Sequence, residues 1–365
     1  MSDSFPTQAV TEALLAWFRA RQRDLPWRRT RDPYAIWVAE TMLQQTQVST
    51  VIPYYERFLE RFPTVRSLAE ADLDAVLALW QGLGYYARAR HLHAAAREVM
   101  TRYGGRLPPE YKALRALPGI GEYTAAALMS IAFDQDYAVI DGNVRRALCR
   151  LFDYAADPTT AEGKRALQAF SEALLPKGQA GPYNQAMMEL GATLCLPREP
   201  LCSDCPVQPY CLARQRGVER ERPVQRARIA RRERTFIAAY IARGDRLLLL
   251  RRRPEGLLGG LWELPNTELG PGEGDAEALQ RLLQELSLGV AEIGEALGTI
   301  RHAYSHFTAL VRLYRCATLG EASPAGLWDA AAWLSADERA GYGLTGVTRK
   351  ALENKRNISE YEENF

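Results

Sequence analysis

Residues 117–121 read Leu117-Pro118-Gly119-Ile120-Gly121, and Glu122-Tyr123 and an alanine-rich stretch follow directly. Two glycines one residue apart, placed where helical periodicity begins, confine the chain to a short hairpin that opens a helix. Glycine enters φ > 0 without a steric penalty and lets another backbone come close. The helix behind it leaves N–H groups unpaired and turns its positive dipole end toward the hairpin. Such a turn suits a phosphate. A lone carboxylate, Asp141, follows about 20 residues on, after Tyr137-Ala138-Val139-Ile140.

With 365 residues the chain has room for two or three domains. Net charge is only +2, so any affinity for a polyanion must come from local distribution. No apolar run reaches the length of a membrane span, and no membrane association is expected. The first 20 residues carry Asp3 and Glu12 on a helical pattern, unlike a secretory signal. A cytoplasmic location is expected, and clustered cysteines there point to metal before disulfide.

Val10, Ala13, Leu14, Trp17 and Phe18 follow helical spacing, and the pattern continues to about residue 190. Ser67 and Glu70 form a candidate capping box. Residues 7–212 therefore read as an all-α domain in two lobes, counted as 1–212 for the domain as a whole. Residues 213–234 hold nine arginines against three glutamates and read as a linker. Residues 235–365 change texture. Phe236–Ile241 and Leu247–Leu250 look like strands around Gly244-Asp245, residues 275–287 look helical, and Phe307–Cys316 alternates like a further strand. Ser335 and Glu338 could cap a short helix. This part reads as an α+β domain.

Cys195, Cys202, Cys205 and Cys211 have the spacing C-x6-C-x2-C-x5-C, four thiolates within 17 residues. That fits one S4 site, zinc or an iron–sulfur cluster, and spacing alone leaves both open. Cys149 and Cys316 sit in apolar stretches as packing residues. Glu40 lies on the same helical face as Ile36, Ala39 and Leu43, where a carboxyl is either desolvated or paired, or else reaches water from the stripe's edge. Asp141 could cap the helix that follows it, act chemically, or do both. Two carboxyls in different environments are what glycosidic cleavage needs: one protonated to assist the leaving group, one ionised to face the developing cation.

The 117–121 hairpin, Asp141 and the cysteine array together resemble the helix-hairpin-helix DNA glycosylases that carry a 4Fe-4S cluster. Glu40-Thr41-Met42-Leu43-Gln44-Gln45-Thr46-Gln47-Val48, Gly82-Leu83-Gly84-Tyr85-Tyr86-Ala87-Arg88-Ala89-Arg90 and Val139-Ile140-Asp141-Gly142-Asn143-Val144 are similar to the MutY-type adenine branch. Gly256-Leu257-Leu258-Gly259-Gly260-Leu261-Trp262-Glu263-Leu264-Pro265 and Tyr304-Ser305-His306 resemble that branch's Nudix-like recognition domain. The implied fold is a helix-hairpin-helix domain with a cluster loop at 195–211, followed by a Nudix-like α+β domain.

The resemblance implies roles residue by residue. Glu40 is the general acid, Asp141 the carboxylate facing the sugar cation, and Tyr123 and Asn143 its orienting neighbours. Arg23, Trp27 and Gln185 belong to the adenine pocket. Arg28, Gln45, Leu83, Tyr85, Arg88, Gly119, Gly121, Tyr304, Ser305 and His306 meet DNA, and Arg90 and the arginine-rich linker add phosphate grips. The four cysteines hold the 4Fe-4S cluster. The implied partner is double-stranded DNA with adenine opposite 8-oxoguanine or guanine, bound by a monomer associated with the nucleoid if the source is bacterial. Relatives that also cut the strand have lysine where this chain has Tyr123, and a phenol cannot form a Schiff base. A strand-cutting glycosylase for oxidised pyrimidines and a non-catalytic DNA binder are the competing readings. In the Nudix box region, Arg281-Leu282-Leu283-Gln284-Glu285-Leu286 keeps Glu285 alone of the metal-binding acids, which implies a reader rather than a phosphohydrolase.

Overall fold

The computed structural model describes residues 5–224, 232–304 and 306–353. The chain forms two compact units, Met1–Ala69 with Ala94–Arg228, and Glu70–His93 with Ile229–Phe365.

The first unit is helical, as its periodicity predicts. Helix α1 (Thr7–Arg21) buries Val10, Leu14 and Phe18. Helix α2 (Pro33–Leu43) starts on a proline whose missing N–H costs nothing there, and Asp32 caps it by accepting from Tyr34 N at 3.1 Å. Its residues from Tyr34 to Met42 are all buried, so it runs through the middle of the unit rather than along its surface. Helix α3 (Val48–Arg61) turns Val51, Tyr55 and Phe58 inward. The next short helix, α4 (Val65–Ala69), is capped at Thr64, three residues earlier than expected. Thr64 and Ser67 bond each other reciprocally, with Ser67 N donating to Thr64 Oγ1 and Thr64 N to Ser67 Oγ. Ser67 thus fills the third helical position, not the cap.

Helix α5 (Leu73–Leu79) belongs to the second unit, and α6 (Ala87–Tyr103) passes from the second unit into the first. In the first unit follow α7 (Tyr111–Arg115), α8 (Glu122–Ala127), a π turn at Leu128–Ala132, α9 (Gly142–Leu151), α10 (Ala161–Leu174), α11 (Ala180–Thr193) and α12 (Leu212–Gln215). The core joins α1, α9, α10 and α11 through Leu14, Phe18, Leu148, Leu167, Tyr183 and Met187. Two glycines on α11 permit close approach. A Cβ on Gly181 would lie 2.6 Å from Ser130 O, and one on Gly191 would lie 2.5 Å from Asn143 Cβ. The arginine-rich stretch does not begin as a free connector: Arg222 and Arg216 pair with the buried side chain of Asp153, and Arg214 pairs with Glu219. Positions 225–231 lie outside the described residues.

Among the described residues, the second unit contains two four-stranded sheets. One has the order β5-β1-β7-β6, formed by β1 (Arg232–Tyr240), β5 (Asn266–Glu268), β6 (Val290–Ala303) and β7 (Phe307–Thr318). The other joins β2 (Ala242–Arg243), β3 (Arg246–Arg252), β4 (Trp262–Glu263) and β8 (Trp328–Leu334). The Gly244-Asp245 turn joins β2 to β3, while β1 lies in the other sheet, parallel to β7. Helix α13 (Asp275–Glu285) covers the predicted 275–287 segment and buries Leu279, Leu282 and Leu283. Ser335 and Glu338 form the expected box at the start of α14 (Ala336–Arg339). The last described helix is α15 (Gly346–Glu353).

Candidate active site

Three independent local structures aim side chains at one cavity of about 140 Å³ in the first unit. Glu40 comes from the buried middle of α2 and is only 4% exposed. Tyr123 stands on the first turn of α8. Asp141 caps α9, accepting from Val144 N at 2.6 Å and from Asn143 Nδ2 at 3.0 Å. Asp141 is therefore both a cap and a wall of the cavity. Tyr123 donates to Glu40 Oε2 at 2.6 Å, so it holds the glutamate and not the aspartate, contrary to the expectation from the resemblance.

The environments of the two carboxyls differ. Burial pushes the Glu40 carboxyl up to about 7; the Tyr123 hydrogen bond and the Arg28 charge pull against that, and the Asp141 charge adds to it. Burial also raises Asp141, opposed by the N–H groups of Val144 and Asn143, the Asn143 amide and the Arg146 guanidinium. Asp141 thus has donors that stabilise its anion, whereas Glu40 sits where the neutral acid is favoured.

Arg23, Trp27 and Gln185 line the same cavity. Arg28, expected on DNA, lines it too and is largely buried. Both arginines converge on Glu189, with Arg23 Nε at 2.7 Å and Arg28 Nη2 at 2.9 Å. Burial alone would raise Glu189, but the bonds from both arginines outweigh it and hold the carboxyl down at about 2. Sequence reasoning passed over Glu189, although a lone acid in the run Met187-Met188-Glu189-Leu190 is the same signal that picked out Glu40. It also passed over Met188, whose Sδ lies 3.3 Å from the Tyr123 hydroxyl.

Of the expected DNA-contacting residues, Gln45 and Tyr85 are exposed and sit in the left-handed region, at φ 60° and 48°. Such backbone is costly for residues other than glycine. In the hairpin, Gly119 has φ 74°, whereas Gly121 is extended at φ −80° and caps α8. A Cβ on Gly121 would meet nothing within 4 Å, so its side stays open to an approaching ligand.

Four expectations are corrected. Leu83 is 6% exposed and packs inward. Arg88 is buried and curls back to donate to the carbonyls of Leu83 and Gly84, so it braces its own loop. Arg90 donates to Gly259 O at 2.6 Å. Tyr304, half-buried, packs its ring against Phe307 and His302 at the edge of the sheet core, so its ring turns inward rather than out to a ligand. His306 is exposed, and Ser305 lies outside the described residues.

Cys195, Cys202, Cys205 and Cys211 are free thiols that ring one small apolar cavity. Among the described residues, no three His, Cys, Asp or Glu are grouped as ligands of a single ion. Arg150, almost wholly buried, donates to Cys195 Sγ at 3.3 Å and to the carbonyls of Leu196 and Pro197. Four sulfurs around one cavity with a buried cation beside them fit an anionic thiolate-bound group. Cys149 and Cys316 are buried packing residues. On α13, the leucines at the lost acid positions belong to the core, and Arg281 is engaged by Glu273 and Thr267.

Residues 38–172 match the profile of the HhH-GPD superfamily base excision DNA repair protein, and residues 237–354 match the NUDIX domain. The chain is 38% identical to an adenine DNA glycosylase of Rattus norvegicus over 96% of this chain and 78% of that protein. It is likewise 38% identical to the adenine DNA glycosylase of Homo sapiens, over 90% of this chain and 71% of that protein. A solved thermostable thymine-DNA glycosylase is similar at TM-score 0.53 and 31% identity, covering 57% of this chain and 97% of its own.

Proposed function

The chain belongs to the adenine DNA glycosylase family, and we propose that it excises adenine paired with 8-oxoguanine or guanine by hydrolysing the N-glycosidic bond and leaving the strand uncut. The observation that carries this reading is the pair Glu40 and Asp141 in one cavity, the first favoured as the neutral acid and the second supplied with donors for its anion.

An adenine inside a duplex is out of reach, so the nucleotide must leave the stack. The amides of the 119–121 turn would hold a phosphate beside it. Trp27 offers a ring face and Gln185 an amide to the extruded base. Glu40 gives its proton to N7 of adenine while the bond from C1′ to N9 breaks, and the electron pair leaves with the base. The positive sugar then faces Asp141, oriented by Asn143, until water adds at C1′. Tyr123 holds Glu40 and has no amine to offer the sugar. Gln45 and Tyr85 would probe the duplex around the lesion, and His306 with Ser305 would read 8-oxoguanine.

Cys195, Cys202, Cys205 and Cys211 would hold a 4Fe-4S cluster, whose contribution is to brace the 195–211 loop. Iron and acid-labile sulfide measured on the purified protein check this. We place the protein as a monomer in the cytoplasm, at the nucleoid if the source is bacterial.

The test is a duplex assay with adenine opposite 8-oxoguanine, opposite guanine and opposite thymine. Free adenine should appear from the first two, with the strand intact until alkali is added and no adduct trapped by borohydride. No adenine release from protein with its full iron content would overturn the reading. An abundant trapped adduct would favour the strand-cutting alternative.

A further inference from the structure

Tyr85 is 49% exposed with φ 48°, between Gly84 at φ 72° and helix α6. A tyrosine in that conformation needs its loop held from outside. Both ends of the loop are held by the sheet domain. On the entering side, α5 and the turn after it are fastened at three places. Asp74 Oδ1 accepts from Trp262 Nε1 at 3.1 Å. Gln81 Oε1 accepts from Leu344 N at 3.2 Å. Leu77 lies so close to Gly343 that a Cβ there would stand 2.7 Å from Leu77 Cβ. On the leaving side, Arg90 donates to Gly259 O at 2.6 Å.

These anchor points form one strip, because Trp262 N donates to Gly343 O and Thr345 N donates to Trp262 O, both at 2.9 Å. The hold is passed on to Tyr85 itself. Trp80, at the end of α5, donates to Gly84 O at 3.2 Å. The Arg88 guanidinium lies over the Trp80 and Tyr85 rings, 5.3 and 5.8 Å from their centroids.

We propose that the C-terminal sheet domain positions Tyr85 for entry into the duplex, through a clamp formed by Trp262, Asp74, Gln81, Arg90 and the backbone at Gly259 and Gly343–Leu344. The sheet domain then acts on base extrusion through the helical segment it grips, in addition to any contact it makes with the lesion. This rests on the proposed function, in which Tyr85 probes the duplex. Trp262 and Asp74 are positioning residues, remote from the reacting atoms.

The experiment uses the full chain with Trp262→Phe, Asp74→Ala or Asp74→Asn, each alone and combined with Tyr85→Ala. Extrusion is read by stopped-flow fluorescence of 2-aminopurine at the target position opposite 8-oxoguanine. Loop order is read by hydrogen exchange of the 82–86 amides. Trp262→Phe keeps an aromatic ring beside Tyr342 and removes the indole donor. It and Asp74→Ala should slow extrusion about two- to tenfold, the effect of one lost hydrogen bond, and speed exchange in the loop. Asp74→Asn retains an acceptor and should behave as the parent. In the Tyr85→Ala background the clamp substitutions should add nothing to the extrusion rate. Equal slowing in both backgrounds, or unchanged exchange in Trp262→Phe and Asp74→Ala alike, would overturn the clamp. If the parent releases no adenine, the proposed function fails instead, and the exchange data still decide whether the loop is clamped.

Discussion

The protonation of Glu40 makes the site testable by pH alone. Its carboxyl is raised from 4.5 to about 7, chiefly by burial. A general acid works only while protonated, and kcat/KM reports the free enzyme. On that pKa about nine-tenths of the sites are active at pH 6 and about one-tenth at pH 8, so kcat/KM for adenine release should fall about tenfold between them. Tyr123→Phe removes a hydrogen bond that lowers the Glu40 pKa, so its alkaline limb should move to higher pH. Stability is linked to the same proton. Between about pH 4.5 and 7 the folded protein holds a proton that the unfolded chain has lost, so stability declines as pH rises through that window. The full decline is about 3 kcal/mol at 1.36 kcal/mol for each unit. Glu40→Gln, unfolded in urea across the same range, should lose this decline along with its activity. Asp141 is raised as well, so the observed limb belongs to the pair, and both substitutions should be read together. A rate that is flat or rising from pH 6 to 8 under chemistry-limited conditions would refute the assignment of Glu40 as the acid.

Asp141→Asn keeps an oxygen for the Val144 amide, so its melting temperature should stay within a few degrees of the parent, while single-turnover adenine release drops by orders of magnitude and duplex affinity is retained. Two glycine substitutions should separate folding from binding. Gly191→Ala crowds Asn143 and should destabilise by about 1–3 kcal/mol in denaturant melts. Gly121→Ala meets open space, and should cost about 1 kcal/mol or less in the same melts while weakening duplex binding in a titration. Glu189→Gln releases Arg28 to act on Glu40, so the alkaline limb of the rate should move to lower pH; an unmoved limb would mean that the Arg28 charge does not reach the acid.

What the sequence disclosed follows from how local each signal is. The hairpin, the Asp141 cap and the buried acid in α2 are written in stretches of fewer than ten residues, where glycine conformation and helical period act directly. Strand β6 escaped because Gly294 and Gly298 interrupt it and its pairing with β7 shifts register three times. Strand β8 escaped because its centre is Ala330-Ala331-Ala332, residues without strand preference. Arg88 and Arg90 are ambiguous in the sequence for another reason. An arginine beside a glycine-rich turn can reach a phosphate or cap a carbonyl, and only the distance to Leu83, Gly84 and Gly259 separates the two. Likewise, whether Tyr304 meets DNA or packs inward is decided by Phe307 and His302 around its ring. The grip of residues 70–93 by the sheet domain depends on partners more than 150 positions away, as with Asp74 and Trp262, and no local pattern encodes it.

Burial favours the neutral form of Glu40, and the charge balance of the cavity leaves that preference in place beside Arg28. The Arg28 charge by itself favours an ionised Glu40. Glu189 accepts from both Arg23 and Arg28 and is held at about 2, so it is the carboxyl that carries the negative charge of that group. What remains of the Arg28 charge at Glu40 is the last and smallest of the influences on it, behind burial, Tyr123 and Asp141. Asp141 is served separately by Val144, Asn143 and Arg146. The cavity therefore holds three carboxyls in three states of support. One is neutralised by arginines, one is bonded by amides and left able to face a cation, and one is desolvated with a single phenol as partner. In the proposed mechanism the last delivers the proton and the second faces the sugar. The ordering depends on which donors α8, α9 and α11 bring to each acid, so the chemistry of the site is set by how those helices pack as much as by the acids themselves.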